Sequence, residues 1–105
     1  PDPEWSELTA ALAELHGSPA GQFLCGSGSM ELITCVTKAF ADEQDRVLAP
    51  AHAYPFFKTA AALARAGFDT APEADGTVSV AALLSALRSD TRIVFVANPG
   101  NPTGT

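Results

Sequence analysis

Arg92-Ile93-Val94-Phe95-Val96-Ala97 runs directly into Asn98-Pro99-Gly100-Asn101-Pro102-Thr103-Gly104. No other stretch of the chain restricts its fold as strongly. The first six residues are β-branched and apolar through the middle, and they read as a strand buried on both faces, as in a parallel sheet covered by helices. The seven that follow cannot prolong it. Proline removes the amide donor and holds φ, and glycine permits sharp reversal. The segment is therefore a rigid platform at a strand's carboxyl end. Its Asn side chains offer uncharged donors and acceptors, and it is compatible with a cis Asn-Pro bond.

The rest of the chain alternates helix and strand patterns. Asp2 reads as a helix cap with Pro3 at the first helical position. Trp5, Leu8, Leu12 and Leu15 recur at helical spacing, predicting a helix over about residues 3–16 that stops at Gly17. Gln22–Cys25 reads as a short buried strand. A second helix is predicted from about Ser29 to Ala41, with Met30, Ile33, Thr37 and Phe40 on one face. Arg46–Ala49 reads as a strand closed by Pro50, and Pro55 opens a helix reaching Arg65. Gly67-Phe68-Asp69-Thr70 leads into a weak strand, and Ser79 caps a short helix carrying Val80, Leu83, Leu84 and Leu87. This alternation predicts an α/β fold, a three-layer sandwich with a mainly parallel sheet flanked by helices.

Composition narrows the function classes. The chain has 105 residues, enough for one domain, and 47% are hydrophobic, which excludes a disordered chain. Twenty of them are alanine, suited to close helix packing. Twelve acidic against six basic residues give a formal charge of −6, which argues against a nucleic-acid backbone or an anionic membrane as partner. No apolar run approaches the ~20 residues of a membrane helix. Cys25 and Cys35 form no CxxC and no metal-like cluster, so no metal site is expected, and a reducing cytoplasm is the default setting. Both are expected to be small buried hydrophobes. The chain opens without Met and stops inside a Pro/Gly/Asn loop, so it is expected to be a piece of a longer polypeptide.

In parallel α/β sheets, ligands bind beyond the carboxyl ends of the strands. Three loops are expected there: Gly26–Ser29, Pro50–Tyr54 and Asn98–Thr105. Gly26-Ser27-Gly28-Ser29 before a helix has two readings. It is a cradle in which backbone N–H groups and the helix N-terminus hold a phosphate, or a plain flexible turn with Ser29 as cap. It lacks the lysine of a P-loop.

The Asn98–Gly104 segment resembles the NPxNPTG motif of class I/II aminotransferases, the fold-type-I enzymes that use pyridoxal phosphate (PLP). Pro1-Asp2-Pro3 and Gly26-Ser27-Gly28-Ser29-Met30-Glu31-Leu32-Ile33 are similar to the histidinol-phosphate aminotransferase branch, where the pattern runs (Y)PDP and then GNGSDELI. The resemblance covers nearly the whole chain and implies that residues 1–105 are the N-terminal part of the large PLP-binding domain. It also implies that Asn101 bonds the phenolic oxygen of PLP, that Gly28, Ser29 and Met30 grip its phosphate mostly through backbone N–H, and that His52 stacks on its pyridine ring, with Tyr54 the weaker candidate. Met30 stands where that branch has Asp, and His52 where it has Tyr or Phe.

The resemblance implies no catalytic residue within the chain. The Schiff-base lysine, the acid on the ring nitrogen and the substrate-binding Arg are expected after Thr105. Lys38, Lys58, Arg65, Arg88 and Arg92 read as solvated scaffold. The implied function is transfer of an amino group between an amino acid or amino-alcohol phosphate and a 2-oxo acid, by a cytoplasmic homodimer. The alternatives are a decarboxylase, lyase or cyclising enzyme on the same fold, an aminotransferase-like sensor domain of a transcription regulator, or a catalytically inactive structural piece.

Overall fold

The structure, a computed structural model, describes residues 2–105. The chain forms two compact units, divided in sequence between Leu32 and Ile33. Pro1, the first residue of the Pro-Asp-Pro segment, lies outside the described residues.

The first unit begins with helix α1, Ser6–His16. It starts three residues later than the periodicity predicts. The Asp2 carboxylate accepts from the backbone N–H of Glu4 and of Ser6, so it still serves the free amides of the first turn. Those bonds, Glu4's first, hold the Asp2 carboxyl below the usual carboxylate range. Trp5, which the periodicity places inside the helix, is the left-handed residue before it, with φ 56° and 43% exposure. Gly17 ends α1 in the left-handed conformation, its N–H bonded to the Ala13 carbonyl. The strand expected at Gln22–Cys25 does not form. Ala20–Gln22 is a single 3-10 turn, and Phe23 is extended without a paired strand. An apolar run this short has no intrinsic preference strong enough to make a strand without a ladder partner.

Helix α2 spans Ser29–Phe40. Of its expected inner face, Thr37 is fully buried, with its hydroxyl donating to the Ile33 carbonyl, whereas Met30 and Phe40 are exposed. In the second unit, strand β1 is Arg46–Pro50, helix α3 Phe56–Leu63, strand β2 Gly67–Ala71, helix α4 Val80–Ala86 and strand β3 Thr91–Val94. The three strands form one parallel sheet in the order β2-β1-β3, and α3 and α4 pack on it. The chain is α/β, as its alternation implied.

The central strand is not the one expected to be buried on both faces. β1 takes that place, with Val47, Leu48 and Ala49 fully buried. β3 lies at the sheet edge and alternates half-buried with exposed residues, Val94 being 43% exposed, and Val96 just beyond it is 51% exposed. Burial follows position in the sheet, and the order of strands is not contained in any one strand's residues. Val47 is registered with Phe68 on β2 and Ile93 on β3, which places the three side chains on one face. With Ala41, Ala61, Ala66 and Phe95 they form a core cluster. Ala60 and Ala61 of α3 are wholly buried, the close approach that an alanine-rich chain permits. Cys35 is exposed and Cys25 half-buried, so neither is the buried hydrophobe expected.

Arg46 and Asp69 join the first turn of the ladder. The guanidinium donates from Nε to Oδ2 at 2.6 Å and from Nη2 to Oδ1 at 2.8 Å, reaching across Gly67. A Cβ on Gly67 would fall into that guanidinium. The paired hydrogen bonds raise Arg46 and, against partial desolvation, lower the Asp69 carboxyl. No helix among the described residues is long and apolar enough to cross a membrane.

Candidate functional site

In the first unit, the glycine-serine loop leads into α2 without a preceding strand. Its two glycines are required for different reasons. Gly28 has φ 112°, a conformation side chains rarely adopt, and a Cβ there would meet nothing within 4 Å. Gly26 is instead crowded: a Cβ would lie 2.9 Å from the Glu31 carboxylate and 3.0 Å from Leu32. The Glu31 side chain reaches back to accept from the Ser27 N–H. This resembles a capping box, in which a carboxylate one turn into the helix secures the chain before it. Ser29 and Met30 open the helix, and Met30 is 50% exposed.

In the second unit, two of the expected residues come together. His52 follows β1 and Asn101 follows β3, and these strands are hydrogen-bonded neighbours running in the same direction. Both residues line one narrow crevice with Pro50, Glu73, Gly76 and Gly100. The Asn-Pro loop is tied by Gly100 N–H to the Thr105 carbonyl and Gly104 N–H to the Gly100 carbonyl, each 2.6 Å. Asn98-Pro99 and Asn101-Pro102 are both cis. Tyr54, the second stacking candidate, has its ring against Phe56 and Phe57. Lys58 lies in an adjoining groove of about 460 Å³ with Pro50 and Tyr54. Among the described residues no group of three or more His, Cys, Asp and Glu side chains gathers as a metal site.

Sequence reasoning missed the segment that braces this crevice. Glu73 is almost wholly buried, its side chain 4% exposed. It accepts from the His52 backbone N–H at 3.0 Å and lies 3.3 Å from His52 Nδ1. Just beyond, Asp75 and Gly76 have φ 52° and 70°, and Thr77 N–H returns to the Ala74 carbonyl at 2.9 Å. This is the two-residue turn that an Asp-Gly pair favours. The Gly76 carbonyl then accepts from the Thr105 hydroxyl at 2.6 Å. One short segment therefore holds both loops of the crevice. The Asp-Gly dipeptide was a legible turn signal; the reach of Glu73 to His52 was not.

A crevice at the carboxyl ends of adjacent parallel strands, edged by an imidazole and an amide, lies where α/β domains place their ligands. The aminotransferase class I and II family matches residues 1–105, and the chain belongs to that family. It is 46% identical over 104 residues to a histidinol-phosphate aminotransferase of Erythrobacter litoralis, covering 99% of this chain and 28% of that protein. It is 42% identical over 105 residues to one of Roseobacter denitrificans, covering 100% and 29%. Among solved structures, the histidinol-phosphate aminotransferase of Sinorhizobium meliloti in complex with pyridoxal-5'-phosphate superposes with a TM-score of 0.89 at 28% identity, over 100% of this chain and 29% of that one. An N-succinyldiaminopimelate aminotransferase of Mycobacterium tuberculosis gives 0.68 at 28% identity, over 74% and 21%. The chain spans under a third of the length of these relatives.

Proposed function

We propose that residues 1–105 are the N-terminal part of the large coenzyme-binding domain of a PLP-dependent aminotransferase. Its substrates would be an amino acid or amino-alcohol phosphate and a 2-oxo acid, and its working form a homodimer. The observation that carries this reading is that His52 and Asn101 stand on loops at the carboxyl ends of neighbouring strands, at the rim of a crevice of only about 10 Å³, so that a ring would lie over the crevice and not within it. A flat aromatic side chain and a neutral amide, on loops of neighbouring strands, suit a planar pyridine ring bearing an oxygen. The open space over Gly28 and the amides of the first turn of α2 suit a phosphate.

In this reading Gly28, Ser29 and Met30 hold the phosphate, chiefly through N–H groups that need no positive side chain. His52 covers one ring face, and Asn101 donates its amide N–H to the phenolic oxygen without adding charge. The bound coenzyme supplies an electron sink for bond cleavage next to an amine. These residues would orient it and exclude water from one face. The similarity to histidinol-phosphate aminotransferases supports the phosphorylated amino-alcohol as substrate, while His52 and Met30 depart from that branch's pattern.

The test is a titration of the ¹⁵N-labelled protein with PLP, followed by amide shifts and coenzyme absorption. Gly28, Ser29, Met30, His52 and Asn101 are expected to shift together. Asn101→Ala should weaken binding about fivefold, the worth of one hydrogen bond of ~1 kcal/mol. Saturating PLP that leaves all five residues unmoved would overturn the proposal.

A further inference from the structure

We propose that Glu73 is a positioning residue that sets both the ring orientation and the protonated nitrogen of His52, and through them the ring face offered to the coenzyme. The coenzyme part rests on the function proposed above; the tautomer does not. Glu73 stands two residues beyond Ala71, and His52 two beyond Pro50, the last registered pair of β2 and β1. The ladder continues past that pair, since Ala51 N–H donates to the Ala71 carbonyl at 2.8 Å. This brings the two residues opposite each other.

One carboxylate oxygen takes the backbone N–H at 3.0 Å and the other faces Nδ1 at 3.3 Å. A carboxylate only accepts. Nδ1 must therefore carry the hydrogen, and in the neutral ring Nε2 is left with the lone pair. The His52 side chain is 68% exposed while its holder is buried, so an exposed ring takes its orientation from a group fixed in the interior. Such an arrangement reduces the rotamer freedom lost when a ligand stacks on the ring.

Glu73→Gln makes the idea testable with little change of shape. The backbone N–H of His52 cannot turn away and can pair only with the new carbonyl oxygen. The amide NH₂ is then left facing Nδ1, which must become an acceptor, and the ring hydrogen moves to Nε2.

Long-range ¹H–¹⁵N correlation of the imidazole in the ligand-free protein reads this directly. At about pH 8.5 an ordinary imidazole is neutral, and a His16→Gln variant assigns the other ring. The expected result is an Nδ1–H form in wild type and an Nε2–H form in Glu73→Gln. An Nε2–H wild type, or a tautomer unmoved by the substitution, would overturn the proposal.

PLP titration then separates the two ideas. If His52→Ala and Glu73→Gln both weaken binding, the latter by about fivefold, positioning toward the coenzyme is supported. If only His52→Ala does so, that role of Glu73 fails while His52 remains a ligand. If neither does, it is the coenzyme role of His52 that fails.

Discussion

The ring of Phe57 lies flat on that of Phe95, with centroids 4.6 Å apart and an interplanar angle of 3°. Phe57 sits in the first turn of α3, just after the His52 loop, and Phe95 leads into the Asn-Pro loop. The stack thus ties together the bases of the two segments that form the crevice. Phe57 is 6% exposed and Tyr54 meets its edge at 5.8 Å.

Phe57→Ala should cost about 3–5 kcal/mol, the range for removing a buried aromatic side chain. A double-mutant cycle of Phe57→Leu and Phe95→Leu in urea melts should return a coupling of about 0.5–1.5 kcal/mol. Additive single effects would mean the rings contribute through burial alone. The crevice should loosen in step: amide exchange at Gly100 and His52 should quicken in Phe57→Ala more than at the far end of β1.

The Arg46–Asp69 pair predicts a pH dependence with a definite sign. The hydrogen bonds from Arg46 depress the folded-state carboxyl of Asp69. A depressed acid stabilises the fold above its unfolded value of about 3.9. That stabilisation is lost as pH falls through the folded value. The urea-midpoint gap between wild type and Asp69→Asn should therefore be steady from neutral pH down to about 5, narrow below about 4, and close once Asp69 is protonated. The gap will be small, because both side chains keep contact with water. A gap that widens on acidification would contradict the assignment.

The two glycines before α2 should respond differently to the same substitution. Gly28→Ala meets no neighbour, so its cost is backbone strain at φ 112°, about 1 kcal/mol or more. Gly26→Ala places a methyl against the Glu31 carboxylate and Leu32, so the Glu31–Ser27 bond must give way. Hydrogen exchange distinguishes the cases: the Ser27 amide should lose protection in Gly26→Ala and retain most of it in Gly28→Ala. Equal loss in both would show that the loop responds as one unit.

Local chemistry announced most of the elements because each carried its own signal. Ser79 caps α4 as expected, its hydroxyl accepting from the Ala82 N–H at 3.2 Å. Gly17 stops α1, and Pro55 precedes α3. The Asn-Pro run was recognisable as a loop at a strand end because proline and glycine restrict the backbone wherever they occur. Gln22–Cys25 departs from the predicted strand because a four-residue apolar run is compatible with strand or coil until a partner strand is present or absent.

The residues alone were enough to establish an α/β chain with its helices and loops in this order, since caps, breakers and periodicity act over a few neighbours. Which strand lies at the centre required the assembled sheet. Val47, Leu48 and Ala49 are buried because β1 runs between β2 and β3, a relation among segments some 20 to 45 residues apart. The partnership of His52 with Glu73 has the same origin. Neither residue marks the other along the chain, and only the parallel register of β1 with β2 brings an interior carboxylate to an exposed imidazole.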